Sequence, residues 1–113
     1  MKPSKFPARS ESARLRRLAM DPLAELMFTQ NSGAEAEQLG ISRPDCLRAI
    51  ATGGITKSEQ LGPDWRRTVQ GKDMDGNMIT LVITVVTAMD GRRKRIVVLK
   101  CERNDDDVNG VAS

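Results

Sequence analysis

The chain has 113 residues, with 18 lysines and arginines against 15 aspartates and glutamates, and neither histidine nor tyrosine. That length argues for one domain with a modest core that needs no metal or disulfide. The missing histidine excludes Ser–His and Cys–His catalysis within one chain, and histidine-ligated metal sites with it.

Residues 1–20 hold six cations (Lys2, Lys5, Arg9, Arg14, Arg16 and Arg17) against Glu11. The other end, 102–113, is acidic through Glu102, Asp105, Asp106 and Asp107. A basic end suits polyanions, and an acidic tail repels them or occupies the same site in cis. No apolar run approaches the ~20 residues of a membrane span, and nothing resembles a secretory signal. Cys46 and Cys101 then read as small buried hydrophobes in a reducing cytoplasm. No cofactor motif is present: Gly53-Gly54 lacks the Gly-x-x-x-x-Gly-Lys-Ser/Thr pattern of a phosphate loop.

In chain order, residues 1–12 read as a flexible basic arm, 13–103 as a single α+β domain and 104–113 as a disordered acidic tail. A short helix is predicted over 12–20, with Leu15, Leu18 and Ala19 on one face. Asp21-Pro22 reads as a helix restart, followed by the apolar positions Leu23, Leu26 and Met27. Ser32 and Glu35 fit a capping box for a helix that stops at Gly40. Ser42 and Asp45 repeat the device, with Pro44 in the first turn. The helix they open carries Cys46, Leu47, Ile50 and Ala51 and ends at Gly53-Gly54.

After Gly62-Pro63 the period changes to two. Strands are predicted over 65–72, 77–87 and 94–102, joined by Asp-Gly turns at 75–76 and 90–91 as an antiparallel meander. A short fourth strand is read near 54–58. The fold class is therefore α+β, with N-terminal helices packed on a three- to four-stranded meander. Ile79, Leu81, Ile83 and Val85 are expected to face the helices, joined by Val97, Leu99 and Cys101. The outer face is then expected to carry Met78, Thr80, Val82, Thr84, Val86, Ile96, Val98 and Lys100, which is apolar for a surface open to water.

Two candidate surfaces follow. Arg92, Arg93, Lys94 and Arg95, widened by Arg66, Arg67 and Lys100, would bind the phosphate backbone of RNA or DNA. The plainer reading of the same cations is protection of a strand edge from mispairing. Val82, Val86, Ile96 and Val98 would form an apolar patch for a protein partner or for a homodimer. Trp65 could stack on a base but more often seals a core edge. KDMDGN at 72–77 is explained by its hairpin rather than by calcium, since it lacks the later acidic ligand. No residue is assigned a catalytic role.

The run Gly40-Ile41, Trp65, Val69-Gln70-Gly71, Asp75-Gly76 and the aliphatic strand after it, over about residues 28–103, resembles a family of small bacterial domains of unknown function. They are common on plasmids and prophages and are grouped with RelE-type toxins and barnase-like ribonucleases. That family opens its first helix with His-Ala-x-x-Arg-Met-x-x-Arg-Gly-Ile, where this chain has Asn31, Ser32, Glu35, Ala36 and Leu39 before Gly40-Ile41. The resemblance implies the fold, while the polar positions of that motif are replaced. It implies a non-enzymatic member from a mobile genetic element that binds nucleic-acid backbone, or an inhibitor of a toxin partner or host defence complex. A RelE-like ribonuclease toxin is a further alternative. Such toxins often work with arginine and lysine, which would give Arg66, Arg67 and Lys100 a catalytic part.

Overall fold

The computed structural model describes residues 7–22, 24–61, 64–87 and 94–104. In chain order it contains α1 (Pro7–Met20), β1 (Glu25–Phe28), α2 (Gln30–Leu39), α3 (Arg43–Thr52), β2 (Gly54–Leu61), β3 (Asp64–Lys72), β4 (Met78–Thr87) and β5 (Lys94–Arg103). The strands form one mixed sheet in the order β1-β5-β4-β3-β2. Strands β2 to β5 run antiparallel, and β1 joins the β5 edge in parallel. The α+β class and the meander are as expected. The fourth strand, expected to be short, is eight residues long.

The first three elements depart from the expected plan. Helix α1 begins at Pro7, inside the stretch expected to be an arm. The helix restart at Asp21-Pro22 is instead a turn into β1, and Leu23 lies outside the described residues. The helical spacing of Leu26 and Met27 is overridden by pairing: Glu25 to Phe28 take partners Arg95 to Val98 on β5, and only Leu26 is buried. The next cap is Thr29, and Ser32 is its reciprocal partner three residues on. Ser32 is also buried and donates its hydroxyl to the Val98 carbonyl, so the cap is tied to β5. Gly40 ends α2 in the left-handed conformation at φ 69°, and the Ser42–Asp45 capping box opens α3 as read from the sequence.

All three helices pack against one side of the sheet. Leu15 from α1, Ala36 from α2 and Cys46, Ala49 and Ile50 from α3 share a single core with Val69, Ile79, Leu81, Ile83, Ile96, Val98 and Cys101. The approach of α3 to β3 is close enough that glycine is required. A Cβ on Gly71 would lie 1.9 Å from the Ala49 carbonyl oxygen, and one on Gly53 1.8 Å from that of Gln70. Cys46 and Cys101 meet in this core as free thiols. The Cys46 thiol donates to the Cys101 sulfur; that bond and burial push the Cys46 pKa up, and the same bond outweighs burial to hold that of Cys101 down.

The phase of β5 is the main correction. Ile79, Leu81 and Ile83 face the helices as expected, and Val85 packs against the core. On β5, however, Ile96 and Val98 are the buried residues, each 0% exposed, while Val97 and Leu99 are half-buried outside the core cluster. The cause is a β-bulge: Val82 pairs with Lys100 and Ile83 with Val98, leaving Leu99 as the extra residue. One inserted residue exchanges the faces of the strand before it. Ile96 and Val98 therefore cannot belong to an outer patch, and Val97 and Leu99 stand in their place.

The candidate nucleic-acid interface and the open sheet face

The seven cations singled out in the sequence do not gather on one surface among the described residues. Arg92 and Arg93, with the turn at Asp90-Gly91, lie outside those residues. Arg95 on β5 reaches β1, where its guanidinium pairs with Glu25 at 3.0 Å. Lys94 donates to the Thr87 hydroxyl at 3.1 Å. Lys100 pairs with Glu102 at 3.5 Å, both exposed. Arg66 and Arg67 are consecutive on β3 and so point to opposite faces. Arg67 lies on the side of Val69 and Trp65, its guanidinium carbon 5.9 Å from the Trp65 ring centroid. Trp65 itself is 43% exposed rather than sealed into a core edge.

The outer face of the sheet carries charges towards both of its edges. Glu59 on β2 stands opposite Arg66 on β3. The row below runs Lys57, Thr68, Val82, Lys100 across four strands. Between these charges lies a half-buried strip of Val82, Thr84, Val97 and Leu99, edged by the exposed Met27 and Val86. Helix α1 packs on α3 and β2 on the opposite side, so it does not cover this strip.

The helical side has a different electrostatic character. Helix α1, PARSESARLRRLAM, carries four arginines and one glutamate. Helix α3 adds Arg43 and Arg48 against Asp45, which is buried. Arg14, Arg16, Arg17, Arg43 and Arg48 are all exposed, and the two helices pack together. Arg16 is held in place by donating to the Gly53 carbonyl at 3.0 and 3.2 Å. Arg14 and Arg17 lie three residues apart beside the buried Leu15, a spacing that puts them on neighbouring solvent positions. The sequence reading counted these arginines as a charged end and left them out of the candidate site. Their helical spacing around Leu15 and Leu18 was the signal for including them.

The carboxylates beneath this layer are committed to structure. Asp73 is 1% exposed and accepts from Arg103 at 2.9 Å and from the N–H groups of Asp75 and Asn77. Arg103 also donates to the carbonyls of Leu39 and Gly40, so it closes the end of α2 and holds the 73–77 turn. Asp45 accepts from Ser42 and from the Met74 N–H. Burial pushes both carboxyls up, but these hydrogen bonds outweigh it and hold both below the ordinary value. The 72–77 stretch is thus a polar tie from hairpin to helices. Among the described residues, no group of three or more histidine, cysteine, aspartate or glutamate side chains could hold a metal ion. No described helix is long and apolar enough to cross a membrane.

Compared with known proteins, the chain matches no family model and no curated sequence.

Proposed function

We propose that the protein binds the phosphate backbone of RNA or DNA without catalysing a reaction, using the cationic side of α1 and α3. The observation that supports this reading is the separation of charge. Exposed arginines on α1 and α3 face solvent with the one carboxylate of α3 turned inward, whereas Arg95 and Lys100 on the sheet are paired with Glu25 and Glu102. A phosphate that approaches the sheet must displace those carboxylates, whereas among the described residues no ion pair engages Arg14, Arg16 or Arg17. Arginine also offers a bidentate fork matched to phosphate. Arg92, Arg93 and Lys94 add to the cationic charge of the chain in this reading. Binding through the backbone alone is steep in salt and indifferent to base sequence.

Fluorescence anisotropy with labelled single- and double-stranded oligonucleotides over a salt series tests this. Replacing Arg14 and Arg17 with alanine should weaken binding to all sequences alike and, on duplex DNA, shallow the log–log salt slope by about 0.9 per lost contact. No binding at low salt, or binding indifferent to α1 and to residues 92–94, would overturn the reading.

A further inference from the structure

The geometry points to a two-fold homodimer formed by the open sheet faces of two copies, with the symmetry axis running across the strands between Thr84 and Val82. The argument rests on the order of charges along each strand. On β5 the outer face reads Arg95, Val97, Leu99 with Lys100, then Glu102. On β2 it reads Glu59, then Lys57. An axis across the strands lays each strand antiparallel against the same strand of the second copy. Arg95 then meets Glu102 of the second copy, and Glu59 meets Lys57 of the second copy, each contact occurring twice by symmetry. Thr84 meets Val82, and Val97 meets Leu99. The existing pairs Glu25–Arg95 and Lys100–Glu102 are extended rather than broken.

The other simple arrangement, with the axis along β4, lacks this match. It lays Arg66 over Val97 and Glu59 over Met27, which strips water from charges without supplying a counter-charge. The arrangement across the strands also lays Arg66 over Thr68, but of the two it is the one that brings Arg95 to Glu102 and Glu59 to Lys57.

The area suffices as well. Five strands spaced about 4.8 Å apart, with about 3.3 Å per residue along the ten residues of β4, present on the order of 700 Å². Standard interfaces bury roughly 600–1,000 Å² per partner. The apolar strip would form the dry centre and the charge pairs the rim. The dimer stands independently of nucleic-acid binding, because it uses the opposite side of the sheet. It would place the two cationic helical sides on opposite outer surfaces of a four-layered particle.

Sedimentation equilibrium on the full chain over a range of concentrations is the test. The expected result is a mass twice the 12.4 kDa of one chain. Lys57→Glu and Glu59→Lys should each raise the dimer dissociation constant by about tenfold or more, and the double exchange should restore it. Both side chains are exposed on an edge strand, so the variants should fold, and circular dichroism checks this. Thr84→Arg, close to the axis, should yield monomers. A monomer at every concentration overturns the proposal, and so does a dimer that tolerates Thr84→Arg and both charge reversals.

Discussion

Val98 and Val97 are neighbours on β5 and opposites in environment. Val98 is fully buried beside α2, and its carbonyl receives the Ser32 hydroxyl. Val97 stands on the open face between Thr84 and Met27. The same contrast holds one turn of the pleat further on. Arg103 points into the helical side, tied to Asp73 and the end of α2, while Glu102 points outward to Lys100. The two faces of one sheet thus carry different burdens. The closed face determines whether the chain folds, and the open face leaves its residues available for contact. Valine stands on both, at 69, 85 and 98 on the closed face and at 82, 86 and 97 on the open one.

The sharpest way to break this comparison is to place a lysine on each side. Val98→Lys would bury an ammonium group without a counter-charge, costing about 4 kcal/mol or more against a typical stability of 5–15. It should abolish a cooperative urea transition. At concentrations where the chain is monomeric, Val97→Lys should fold with stability within about 1 kcal/mol of the parent chain. Equal losses at both positions would mean that the bulge at Leu99 is misplaced.

The next test uses the second neighbouring pair. Arg103→Ala leaves the buried Asp73 carboxylate and two helix-end carbonyls short of a donor, and should cost about 2–4 kcal/mol by urea denaturation. Glu102→Ala removes an exposed ion pair and should change stability by about 0.5 kcal/mol or less. Between these two falls Ser32→Ala, which deletes the reciprocal bond of the α2 cap and the tie to Val98, for an expected loss of about 1–2 kcal/mol.

The pH dependence should trace to the closed face as well. Asp45 and Asp73 have lowered pKa values in the folded chain, so the unfolded chain takes up their protons first as pH falls. Their contribution to stability is complete above the ordinary carboxylate pKa of about 4 and is lost as pH drops through the folded values. Acid titration of the urea midpoint should show this loss, and Asp73→Asn should flatten it. An unchanged pH profile in that variant would remove Asp73 from the account.

Much of the architecture was legible because its signals are local. The Ser42–Asp45 box, Gly40, Gly53-Gly54 and Asp75-Gly76 are each read within about four residues, and each performs the expected task. The errors fall where local signals were silent or misleading. Leu23, Leu26 and Met27 have helical spacing, yet 25–28 is a strand because β5 presents a free edge some seventy residues away. Ile96 to Leu99 is an unbroken apolar run with no alternation to reveal its phase. How the candidate cations are grouped was not legible for the same reason. Proximity in sequence suggested that Arg92 to Arg95 act together with Arg66, Arg67 and Lys100, but the pleat sends Arg66 and Arg67 apart and the strand partners of Arg95 and Lys100 bring carboxylates to them.

The sequence by itself determined the α+β class, the ends of α2 and α3, the meander of β3, β4 and β5, and the inward face of β4. These follow from backbone preferences and from a period-two pattern that short-range chemistry enforces. Only the tertiary structure decided the parallel β1, the face of β5 and which of the described cations pair with carboxylates. Those depend on hydrogen-bond register between strands distant in sequence, and a single extra residue in that register exchanges inside for outside.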